Sequence, residues 1–183
     1  VRLPRTPLYR WLTLDGNSFA EVYFGGVPAL LRRARTTPGA KWETRLQGCG
    51  RALWFVECGD PAGVEAVIEA APELARPHLW AGIGLSSTYN GGIDDSERAR
   101  LIAAAARYRG YFGQGVVFAA TARARSGQIP EHTERACQQM LGISALEATQ
   151  WESTAAGGLL ERRDVGAYLT LKARLREKVD AQR

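Results

Sequence analysis

Apolar residues recur along the chain at three- and four-residue spacing, in blocks separated by glycine, proline and aspartate. In VEAVIEAA, Val64, Val67, Ile68 and Ala71 form one stripe of a helix. The block starts with Asp60-Pro61, a strong initiation signal. Aspartate accepts from the first free N–H groups, and proline at the first helical position gives up no needed donor. Asp94 with Glu97, and Ser144 with Glu147, have the spacing of reciprocal N-terminal caps. Gly59, Gly91, Gly127 and Gly142 stand where helices end. Alternating β-branched runs between turns do not occur. The pattern predicts helices over 15–35, 46–58, 60–71, 77–90, 95–109, 111–126, 130–141, 144–156 and 164–180. Thr36 to Glu43, with Pro38 and Gly39, reads as a long loop. The short connections favour antiparallel neighbours.

A weak internal repeat runs through these helices. Gly48-Cys-Gly50, Gly82-Ile-Gly84 and Gly113-Gln-Gly115 share a small-x-small triplet, and Gly16-Asn-Ser18 is a weaker fourth copy. Their first glycines are 32, 34 and 31 residues apart, and apolar residues precede each. A period near 34 is that of a two-helix repeat of the tetratricopeptide kind. The expected fold is therefore all-α: antiparallel helical hairpins in a tetratricopeptide-like solenoid, one domain over 1–183. Gly50, Gly84 and Gly115 are expected at close helix–helix contacts.

The length of 183 residues suits one domain with a sizeable core. Hydrophobic residues at 45% exclude a disordered chain. No uninterrupted apolar run approaches the ~18 residues of a membrane span, and no charged-then-apolar leader opens the chain. The expected compartment is cytoplasmic, with Cys49, Cys58 and Cys137 as small buried thiols. The net charge of +5 comes mostly from arginine, scattered rather than clustered, so nucleic acid is not an expected partner.

Candidate chemistry is sparse. There is no GxGxxG, P-loop, HExxH or GxSxG motif. Asp94-Asp95 lacks the third acid of a diphosphate-binding magnesium site, and capping accounts for both residues. No metal or other cofactor is expected. His132, beside Glu131 and Glu134, has carboxylates that would favour its protonated form; as a plain alternative, this is a helix N-terminus with acids on its dipole. Asp15 and Glu21 sit in the apolar stretch LDGNSFAEVYF, and Asp15 reads either as an N-cap or as a buried functional acid. His132, Glu134, Asp15 and Glu21 are the catalytic candidates. Trp54, Trp80, Tyr89 and Gln114 are the candidates for a ligand or partner surface, with core packing the competing role of the tryptophans.

The blocks GCGRALWFVECGDP, LWAGIGLSSTYNGG, GQGVVFAATARARSGQIPEHTERAC and WLTLDGNSFAEVYF resemble the UnbL-like family of unknown function, encoded in enediyne biosynthetic gene clusters of actinobacteria. The family carries a histidine where this chain has Ala20. Its members are longer, and the resemblance implies that this chain is their C-terminal half. It also implies work near polyketide-derived polyene or enediyne-core assembly. Two functions follow as expectations: an accessory that binds partner enzymes or shields an apolar polyene, or a cyclase or isomerase acting on such a polyene.

Overall fold

The computed structural model describes residues 6–182. Among them are nine α-helices and no strand. A short 3-10 helix, Pro7–Trp11, runs directly into α1, Leu12–Ala34. Then follow α2 (Ala40–Val56), α3 (Pro61–Ala70), α4 (Arg76–Asn90), α5 (Asp95–Ala104), α6 (Arg109–Arg125), α7 (Glu131–Leu141), α8 (Ala145–Ala155) and α9 (Val165–Asp180). No helix among the described residues is long and apolar enough to cross a membrane.

The start signals act as expected. Asp60 accepts from the N–H groups of Ala62 and Gly63 at 3.0 and 3.1 Å. Asp94 and Glu97 form the full reciprocal cap, each carboxylate accepting from the other residue's backbone N–H. Ser144 caps α8 in one direction and not reciprocally: its Oγ accepts from Glu147 N at 3.1 Å. Asp164 caps α9 in the same way, through Ala167 N. Gly59, Gly91, Gly127 and Gly142 all have positive φ. All three cysteines are free, but Cys58 is exposed and not buried, because it lies in the turn that closes α2.

Three boundaries differ from the sequence reading; one of them is the expected helix over 95–109, which ends at Ala104 and is followed by a separate 3-10 turn, Ala106–Tyr108, that leads into α6. The second helix begins at Ala40, six residues before position 46, and takes in half of the supposed loop. The early turns form because Trp42, Thr44 and Leu46 are buried there; tertiary burial outweighs the Pro38-Gly39 signal just before them. The first helix begins at Leu12, because the Pro7–Trp11 turn hands it an already helical residue, Trp11. Asp15 therefore lies inside the helix and caps nothing.

The core follows a row of helices. α1 packs on α2, α2 on α4, and α4 on α6; α6 then carries α7, α8 and α9. α3 packs on α5, and α5 on α7. α9 also touches α2 and the Pro7–Trp11 turn, so the first and last elements meet. Leu8 N also donates to Leu160 O, in the segment between α8 and α9. Along the row the backbones nearly touch, and this is where glycine is required. A Cβ on Gly48 would overlap the Asp15 carbonyl, and one on Gly50 the Leu79 carbonyl. Gly84 meets the Phe112 carbonyl and Gly115 the Ala81 carbonyl in the same manner. Gly50, Gly84 and Gly115 thus sit at close helix contacts. The fourth copy is different: nothing lies within 4 Å of a Cβ built on Gly16.

Candidate functional site

α1, α2, α4, α6 and α8, with the Pro7–Trp11 turn, surround a cavity of about 390 Å3. Leu12, Phe19, Phe55, Leu85 and Phe118 form its apolar wall. That volume is in the range of small-molecule sites. Tyr9, Arg125 and Glu152 form one polar cluster on its wall, and Arg51, Ser86, Asn90, Thr121 and, from α9, Tyr168 also line it.

Glu152 is 1% exposed, on the inner face of α8. A buried carboxylate must find donors. Tyr9 Oη donates to Glu152 Oε1, and Arg125 Nη2 reaches Oε2 at 3.2 Å. The Arg125 guanidinium also covers the Tyr9 ring, 5.0 Å from its centre. Burial, and then the hydrogen bond to Glu152, pushes the Tyr9 phenol up to about 12. At neutral pH Tyr9 is thus a held proton donor on the cavity wall.

Behind the wall lies a buried polar chain. Asp15, fully buried, accepts from Arg51 Nη1 and from Gln47 Nε2 at 2.9 Å. Gln47 Oε1 accepts from Gln114 Nε2 at 3.0 Å, and Gln114 Oε1 from Arg176 Nη1 at 3.2 Å. This joins α1, α2, α6 and α9 through groups that would otherwise be costly to bury. The Arg51–Asp15 and Arg125–Glu152 pairs also cancel charge, which leaves the wall nearly neutral and suits an apolar ligand.

The sequence candidates do not converge here. Asp15 is one step behind the wall, reaching the cavity only through Arg51. Glu21 holds Arg33 at 2.7 Å across the bend of α1. His132 Nε2 lies 3.0 Å from the Tyr89 carbonyl. A carbonyl only accepts, so Nε2 carries the proton and the ring satisfies the end of α4 alongside Arg123. Glu134 accepts from Ala145 N at 2.9 Å and so closes the start of α8. Of the ligand-surface candidates, Tyr89 lines the cavity. Trp54, Trp80 and Gln114 are buried and do not line it.

Glu152, Arg125, Tyr9 and Arg51 are the residues that sequence reasoning missed. For Glu152 a signal exists. Ala148, Trp151 and Ala155 share its helix face and are all buried, so the acid interrupts an apolar stripe. Tyr9 lies in a single short turn, with no periodicity to mark it.

A family model described as "Protein of unknown function (DUF1702)" matches residues 1–179. The chain belongs to this family. No curated protein and no solved structure matches it.

Proposed function

We propose that this chain is an accessory of enediyne or polyketide natural-product biosynthesis that binds an apolar polyene intermediate. The observation that carries the reading is the cavity, with aromatic walls and a charge-balanced polar cluster. The family resemblance at the quoted blocks supplies the biosynthetic setting. In the same reading, α2–α3, α4–α5 and α6–α7 are three two-helix units of tetratricopeptide-like kind, the glycine triplets marking the first helix of each, and α9 lies against the row they make.

cis-Parinaric acid, a conjugated tetraene acid that brightens on leaving water, tests the binding. The full chain should give a saturable fluorescence rise with one site per molecule. Ala122 is exposed at the cavity, so Ala122→Trp should obstruct it without disturbing the core and weaken binding about tenfold or more. A wild-type protein with no saturable rise, or an Ala122→Trp variant that binds equally well, would overturn the reading.

A second reading, a cyclase or isomerase acting on the same class of ligand, is supported by Tyr9 and Glu152. They place a proton donor and a carboxylate side by side on the wall, as acid–base catalysis requires. It predicts that the polyene absorbance bands change with time in the presence of the protein, and that Tyr9→Phe stops the change.

A further inference from the structure

The aromatic wall does not end at the cavity. Phe19 and Phe55, which line it, meet edge to face at 5.6 Å. Phe19 then stacks on Tyr23, one turn further along α1, at 5.6 Å and 14°. Tyr23 meets Phe55 at 6.0 Å and Phe24 at 5.2 Å. Exposure climbs along this series: Phe55 is 39% exposed, Tyr23 49% and Phe24 86%. The series stops where α1 bends. Gly26 takes φ 62° and ψ −163°, and Pro28 has no N–H for the Phe24 carbonyl, so α1 bends immediately beyond Phe24.

Four touching rings, progressively exposed and continuous with a cavity, are not scattered surface residues. An exposed apolar patch of this kind marks a contact site. We infer that the ligand site has two parts, the cavity and an external aromatic track from Phe19 over Tyr23 to Phe24, and that the track holds the far end of an unsaturated or aliphatic chain too long for the cavity. The inference rests on the reading of the cavity as a ligand site. The orientation follows from the polarity of the two parts. The cavity wall is charge-balanced but carries the hydrogen-bonding groups of Tyr9, Arg125 and Glu152, whereas the track offers ring faces, so the polar end enters and the apolar tail lies out along the rings. Phe24 then sets which chain lengths bind best, while contributing nothing to short ones.

Displacement of cis-parinaric acid from the full chain by decanoic, tetradecanoic and octadecanoic acids tests this. In the wild type, affinity should climb steadily to octadecanoic acid. Phe24→Ala should lose about tenfold for octadecanoic acid and nothing for decanoic acid. Phe24→Trp should restore the length dependence, and Leu74→Ala, an equally simple loss of an exposed apolar side chain outside the track, should not alter it. Equal weakening at every length, or none, overturns the track. So does a dimer in sedimentation that dissociates on Phe24→Ala without any change in length dependence, since the rings would then be a contact between copies. Failure of all three acids to displace the probe would remove the track while leaving probe binding itself in place; failure of the probe to bind would remove the cavity reading and the track together.

Discussion

His132 and Glu134 show how a residue with catalytic chemistry serves a neighbouring helix end. Thr133 completes the set: its hydroxyl donates to the Thr88 carbonyl at 2.9 Å, one residue before the carbonyl that His132 holds. The last turn of α4 has carbonyls with no partner inside the helix, and the start of α7 supplies donors to them. Glu134 does the converse for the free N–H groups of α8. His132→Ala removes one donor of several and should cost about 1 kcal/mol. Glu134→Ala should cost a similar ~1 kcal/mol as the loss of a helix-start acceptor. Urea unfolding measures both, and binding of cis-parinaric acid should be unchanged in both variants. Lost binding at normal stability would instead move these side chains into the site.

At the scale of helices, the fold was written chiefly in glycine and in caps. Caps act locally, between residues two or three apart, so Asp60, Asp94 and Ser144 were legible directly. The triplets were legible because a helix that buries glycine on one face declares a close neighbour, though the sequence could not say which helix that neighbour was. What was not legible depended on contacts remote in sequence. The early start of α2 requires the burial of Trp42, and the Tyr9–Glu152 pair spans 143 positions. Glu152 interrupts an apolar stripe visibly, but only a partner 143 residues away turns that interruption into a site. The glycine contacts give a sharp test. At Gly84 even one methyl group would meet the Phe112 carbonyl, a rigid backbone atom. Gly84→Ala should therefore destabilise by roughly 2–3 kcal/mol, because neither backbone yields easily. Gly16, exposed and open, should respond oppositely: Gly16→Ala should stabilise α1 by about 0.5–1 kcal/mol. Thermal or urea unfolding of the two variants separates a packing glycine from an idle one within the same repeat. Equal effects would mean that helix propensity, not close approach, governs both.

Across the whole molecule, the interior holds more basic groups than it can pair, and this shapes stability against pH. Lys172 of α9 is fully buried and its Nζ has no hydrogen-bond partner. Burial, then the positive charge of Arg176, lowers it from 10.5 to about 8, with Glu43 of α2 and Asp15 of α1 opposing. His78 of α4 lies between the rings of Trp42 and Tyr111, with Glu43 3.9 Å from its Nδ1. Burial, then Lys172 and Arg176, lowers it from 6.5 to about 3. Both groups bind protons more weakly folded than unfolded, so each makes stability rise with pH. Lys172 does so between pH 8 and 10.5, its full penalty standing below pH 8. His78 does so between pH 3 and 6.5, its stability lost as the pH falls through that window. At 1.36 kcal/mol per unit, the Lys172 penalty is on the order of 3 kcal/mol. Lys172→Met should therefore stabilise the protein at pH 7 by about 2–3 kcal/mol and flatten the alkaline rise. His78→Phe should remove the additional loss below pH 6.5. The two effects should not add, because the Lys172 charge is part of what holds His78 neutral. In Lys172→Met the His78 window should narrow from its acid side, and the double variant should show a coupling of about 0.5–1 kcal/mol near pH 3, where His78 begins to charge in the folded protein, and none at pH 7. Urea unfolding across pH 3 to 10.5 on the four proteins measures all of these. A strictly additive double variant would mean that α4 and α9 carry their buried bases in separate environments, not in one shared interior.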